Sequence, residues 1–164
     1  MTLRLAKIFM SFAFAAFALL VAFDNVIDYE TNFAFVRHVL SMDTTFEAGA
    51  LRGRAILNPS WWHAGYALII AGEALTGMLF LAGAIRMLAA LRAPAARFEA
   101  AKSWAILGAM AGFGVWFVGF MIVGGEWFQM WQSPQWNGQT AAFRFYTPLM
   151  LGLVFLAMPE RELP

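Results

Sequence analysis

The sequence predicts an all-α integral membrane protein, a four-helix bundle with short amphipathic helices in its first long connection. Three observations carry that prediction. Of the 164 residues, 62% are hydrophobic and 13% charged, outside the range of water-soluble domains. The apolar residues gather into four runs, each near the roughly 20 residues that cross about 30 Å of hydrocarbon as a helix. The charges gather between those runs. A chain of this length has room for one membrane domain over residues 1–164, with spans at about 5–23, 61–85, 103–125 and 141–158 and a polar connection over 24–60.

The first run, Ile8 to Phe23, follows Arg4 and Lys7 and ends at Asp24. It resembles the basic and apolar regions of a signal peptide. It is long for that role, no small-x-small site precedes a soluble domain, and three more runs follow, so a membrane span is expected. In the 24–60 connection, Phe33, Phe35, Val36, Val39 and Leu40 fall on one side of a helix, and Arg37, His38 and Ser41 on the other. Such a helix suits the membrane surface or the top of the bundle, with Thr31 or Asn32 as its cap. Thr44 and Glu47 have capping-box spacing, which predicts a second short helix through Leu51. Asn58 before Pro59 reads as an N-cap and first-turn proline opening the second span.

That span, Trp61 to Arg86, contains one charge, Glu73, near its middle. Pro94 breaks the basic connection that follows, and Ser103 to Gly125 is free of charge. Asn137-Gly138 marks a turn before the fourth span, which carries Arg144 near its start, expected to snorkel or pair, and Pro148 inside. The N-terminus, the 86–102 connection and the C-terminus hold seven of the eleven basic residues, which predicts a multi-pass topology with both termini in the cytoplasm.

Glu73 is the foremost candidate for chemistry, because a charge at the bilayer centre costs about 2.5 to 3.5 kcal/mol on insertion scales. No basic residue lies at its depth in the other spans, so a neutral acid donating a hydrogen bond is expected. Thr76, Trp116, Tyr146, Thr147 and a carbonyl freed by Pro148 are the partners within reach of the pattern. Glu73 then serves either a proton- or cation-coupled site or an interhelical contact, within this chain or to another subunit. Gly108 and Gly112 form a G-x-x-x-G pair that favours close packing of the second and third spans, drawing Glu73 towards Trp116.

Asp24, Asp28, His38, Asp43 and His63 are candidates on the outer surface. The two histidines invite a bis-imidazole haem or a metal, but both lie near the interface and the acids show no recognised ligand spacing, so neither haem nor metal is expected. The tryptophans around the third connection fit an interfacial belt. With no nucleotide, metalloprotease or serine-nucleophile motif, no catalytic residue is assigned. A net charge of +1 gives no reason to expect a nucleic-acid partner, and the absence of cysteine excludes thiol and disulfide chemistry.

With these features in place, the stretch FDNVIDYETNFAFVRHVLSMDTTF (Phe23 to Phe46), followed by WWHAGYALIIAGE, resembles a bacterial family of predicted small integral membrane proteins of unknown function. The resemblance covers nearly the whole chain. It implies a bacterial inner membrane, but no activity, cofactor or catalytic residue. The function foreseen is a non-catalytic accessory or scaffold subunit of a larger membrane assembly, with lipids and a membrane-protein partner or further copies of itself around it. The alternatives are a small proton- or ion-coupled transporter or channel using Glu73, and a haem- or quinone-binding redox protein.

Overall fold

In the computed structural model, which describes residues 1–162, the first apolar run forms α1 (Thr2–Ile27). Its inward face reads Arg4, Ile8, Ser11, Ala15, Ala18, Ala22, Asn25, alternating steps of four and three. That is the period of a left-handed helix seam, and its small residues bring α1 close to α3 (Pro59–Ala89), its most extensive contact. The helix runs one turn past the expected end at Phe23, because Asp24 and Asn25 mark the edge of the apolar run without breaking the backbone. Asp28, with φ −108° and ψ 59°, makes the break.

The amphipathic helix α2 (Tyr29–Ser41) buries Phe33, Val36 and Val39, as its pattern predicts. It starts at Tyr29, so Thr31 and Asn32 lie inside the helix and do not cap it. The expected helix over Thr44–Leu51 does not form, and turns occupy that stretch, followed by a 3-10 turn at Arg52–Arg54. The Thr44 hydroxyl, needed as its cap, instead donates to Ser133 Oγ at 2.8 Å, tying this connection to the one after the third span.

At the start of α3 the Asn58 side chain accepts from the Ser60 amide at 2.9 Å, with Pro59 in the first turn. Replacing Asn58 by Ala leaves that amide unsatisfied and should cost about 1 kcal/mol, while Asp should keep most of the stability. Thermal unfolding in detergent checks this, and equal midpoints for the Ala and Asp variants would speak against the cap.

The third span begins before the expected Ser103. α4 (Ala95–Ala101) follows Pro94 directly and passes through Lys102 into α5 (Ser103–Phe113), so that Ala95–Trp127 forms one 33-residue membrane-length helix. From Gly114 to Trp127 its backbone winds as a π-helix, ending with the Phe128 amide on the Val123 carbonyl five residues back. No apolar pattern foretold this, since it changes the backbone ladder and not the polarity. α6 (Gln139–Ala157) closes the bundle and leaves Arg144 exposed. Gly108 and Gly112 do lie in the helix contacts: a Cβ on Gly108 would come 2.9 Å from the Phe80 ring, and one on Gly112 would come 2.7 Å from Leu149 and 3.0 Å from Thr76.

The two ends of the bundle differ. At the cap end, α2 and the Phe128–Gly138 connection fold over the helices. The tail end holds the start of α1, the α3–α4 turn, residues 158–160 and an ion cluster. Arg4, Lys7 and Lys102 are each at most 2% exposed there. Lys7 Nζ donates to Glu160 Oε1 at 2.5 Å, Lys102 Nζ lies 3.5 Å from the same oxygen, and Arg4 Nε lies 3.6 Å from Oε2. Both lysines also donate to the Met158 carbonyl at 2.8 Å, and Arg4 caps the α3–α4 turn by donating to the carbonyls of Leu91 and Ala93.

Candidate ligand cavity around Glu73

Between α1, α2, α3, the π-helix and α6 lies a cavity of about 350 Å³. Asn32, Gln135 and Asn137 line its exposed rim at the cap end, and Glu73, 2% exposed, lies at its foot. Trp116, Phe120, Phe145 and Tyr66 supply aromatic walls. The π-helix contributes both Trp116 and Phe120, which lie four residues apart on its cavity side. Towards the tail end, Thr76, Phe80, Ala109 and Leu149 are buried and close the bundle.

The partner of Glu73 is a residue outside the expected set. Asn25 Nδ2 donates to Glu73 Oε2 at 2.8 Å, and Asn32 Nδ2 donates to Asn25 Oδ1 at 2.7 Å. Tyr66 fixes the same turn by donating its hydroxyl to the Asn25 carbonyl at 3.1 Å. Glu73 therefore accepts at Oε2 at the end of an amide chain reaching the rim. Its Oε1 takes no hydrogen bond from the described residues, on a side chain that lines the cavity. The signal that could have exposed Asn25 was the four-three seam of α1, which carries it inward one turn beyond Phe23.

The residues foreseen around Glu73 divide. Trp116 shares its cavity. Thr76 is one turn away, but its hydroxyl donates back to the Gly72 carbonyl at 2.7 Å. Tyr146 sits edge-on against Phe113, Phe117 and Phe143 and does not line the cavity. Neither Thr147 nor a carbonyl of the Pro148 turn bonds to Glu73.

The outer-surface set separates into two clusters and two isolated acids. His63 stacks on Phe33 with centroids 4.1 Å apart, and its Nδ1 lies 2.9 Å from the Tyr29 hydroxyl. Burial, and then the nearby Glu30 charge, push the Tyr29 hydroxyl above its ordinary value. His38 stacks on Trp136 with centroids 4.5 Å apart, and its Nδ1 pairs with Asp43 at 2.7 Å. Asp24 and Asp28 are exposed and make no side-chain bond among the described residues. No group of three or more acids and histidines able to hold a metal occurs among the described residues. Trp61, Trp127 and Trp131 are exposed at the cap end, where an interfacial belt would lie.

A second hollow of about 200 Å³, almost wholly apolar, borders the first across Phe35, Val36, Ile69 and Phe120. It reaches the lipid-facing Leu68, which is 75% exposed.

Four membrane-length helices around a cavity with aromatic walls and a polar rim define a helical integral membrane protein. The chain belongs to the family described as predicted small integral membrane protein (DUF2165), which matches residues 3–159 and has no assigned function. No curated protein and no solved structure matches it.

Proposed function

We propose that the protein is a non-catalytic binding subunit of a bacterial inner membrane, with both termini in the cytoplasm and the cavity opening outward. Its ligand is a small molecule or partner side chain that presents a protonated amine to Glu73. The observation that carries this reading is the free Oε1 of Glu73 at the foot of an aromatic-walled cavity. A carboxylate in low dielectric is costly unless paired, and an incoming cation supplies the pair. Trp116 and Phe120 add faces that favour a cation. Binding is favoured over catalysis because the other titratable side chain of the lining, Tyr66, is committed to the Asn25 carbonyl. The histidines that suggested haem are engaged with Asp43 and Trp136 or with Tyr29 and Phe33.

Thermal unfolding of the detergent-purified protein tests the reading, with phenethylamine set against the isosteric phenethyl alcohol. The amine should raise the midpoint by a few degrees, since a ligand at about 100 times its Kd stabilises by roughly 2.7 kcal/mol. The alcohol should not, and Glu73→Gln should abolish the shift. Equal shifts for amine and alcohol, or an undiminished shift in the variant, would overturn it. The accessory role predicts a membrane-protein partner at fixed stoichiometry when a tagged copy is purified.

One observation favours a second reading, a proton- or cation-coupled carrier: the amide chain Asn32–Asn25–Glu73 runs from the rim to mid-span. The closed tail half of the bundle weighs against it, because a carrier must open there. Flux into vesicles that falls with Glu73→Gln would support it.

A further inference from the structure

At the tail end, the cations divide into two kinds. Arg4, Lys7 and Lys102 are buried and bonded to carbonyls, Glu160 and Glu99. Arg86, near the end of α3, and Arg97, on α4, are exposed and have no carboxylate within salt-bridge distance among the described residues. These two line one hollow of about 270 Å³, whose other walls are Ala89, Ala90, Ala100 and Ala101. The alanine methyls are short and leave the hollow open between the two arginines, neither of which has a carboxylate partner among the described residues. Trp104 stands beside it, 38% exposed, with the Arg86 guanidinium carbon 5.7 Å from its ring. A tryptophan there marks the level of lipid headgroups. Ile85 and Leu107, both about half exposed, continue the surface towards the hydrocarbon.

We infer that Arg86 and Arg97 form a binding site for the phosphate of an anionic phospholipid, held between α3 and α4 with its chains running along the Ile85–Leu107 side. A guanidinium offers paired N–H donors that match phosphate oxygens, and two of them across an alanine-floored hollow define a position for one phosphate. Basic hollows between membrane helices at headgroup level bind anionic lipids for this reason. The inference is independent of the ligand proposed for Glu73, since the two sites share no residue.

Native mass spectrometry of the full chain in detergent, titrated with phosphatidylglycerol or phosphatidylcholine, tests it. The wild type should hold one phosphatidylglycerol in preference to phosphatidylcholine, and the double variant Arg86→Gln/Arg97→Gln should bind it roughly tenfold or more weakly. Arg92→Gln removes a neighbouring exposed charge outside the hollow and should leave the preference intact. An equal loss with Arg92→Gln would mean diffuse surface charge and overturn the site. Inorganic phosphate in the same titration separates the two sources of the anion: displacement of the lipid at comparable concentration would assign the hollow to a soluble phosphate and overturn the lipid. The single glutamine variants, each with its unfolding midpoint checked, supply the same readout if the double variant does not fold.

Discussion

Glu160→Gln is expected to destabilise the bundle by about 3 kcal/mol, because it takes the shared carboxylate from three cations that remain buried. Lys7 and Lys102 would keep the Met158 carbonyl, and Lys102 would keep Glu99 at 2.8 Å, but Lys7 would lose its one carboxylate partner among the described residues. Glu99→Gln should cost much less, under about 1 kcal/mol, since its side chain is 46% exposed and water can replace it. The same cluster sets a pH dependence. Burial alone would raise the Glu160 carboxyl, but the hydrogen bond and charge of Lys7, with those of Lys102, outweigh it and hold the group below its ordinary 4.5. A carboxyl depressed by folding contributes stability that is fully present above the unfolded value and lost as pH falls through the folded one. The wild-type unfolding midpoint in detergent should therefore be steady above about pH 5 and drop below pH 4.5, and Glu160→Gln should show a lower midpoint and a flatter acid limb. An unchanged midpoint at neutral pH would mean that the cluster contributes nothing net.

The four spans were legible because hydrocarbon demands long apolar runs, and few other patterns satisfy that demand. Their ends were not, because charge marks where the apolar run stops and not where the backbone stops being helical. Asp24 and Asn25 stay in α1, and Arg97, Glu99 and Lys102 stay in the helix that enters the third span. The error mattered for Glu73. A span ending at Phe23 leaves Asn25 outside it, so the apolar pattern points to Thr76 and to Tyr146, which packs elsewhere. The tail cluster was hidden differently. Arg4 and Lys7 read as a basic flank, and their carboxylate lies more than 150 residues away in the sequence. Following the four-three seam of α1 to both of its ends would have placed Arg4 and Asn25 on the buried face with the alanines. The π-helix had no such signal.

Gly83→Ala should separate the helix framework from the site it holds. A Cβ at Gly83 would lie 2.4 Å from the Ala105 amide nitrogen and 2.9 Å from its Cα, so the obstacle is backbone on α5 and no side chain can swing aside. The third-span helix would have to move off α3, weakening the contacts of the buried Phe80 and Met87. Overpacking of this kind costs about 1 to 3 kcal/mol, more than the roughly 1 kcal/mol that alanine gains over glycine in a helix. Gly114→Ala is the control, since its Cβ would meet nothing within 4 Å, and the propensity gain should make that variant equal to or more stable than the wild type. Opposite signs for the two glycines in one detergent unfolding series are the expected result, and a Gly83→Ala variant as stable as wild type would refute the close approach. Gly83 is ten residues from Glu73, about 15 Å along the helix axis. A destabilised but folded Gly83→Ala should still respond to phenethylamine, whereas Glu73→Gln should lose the response without a comparable fall in midpoint, because a glutamine carbonyl still accepts from Asn25.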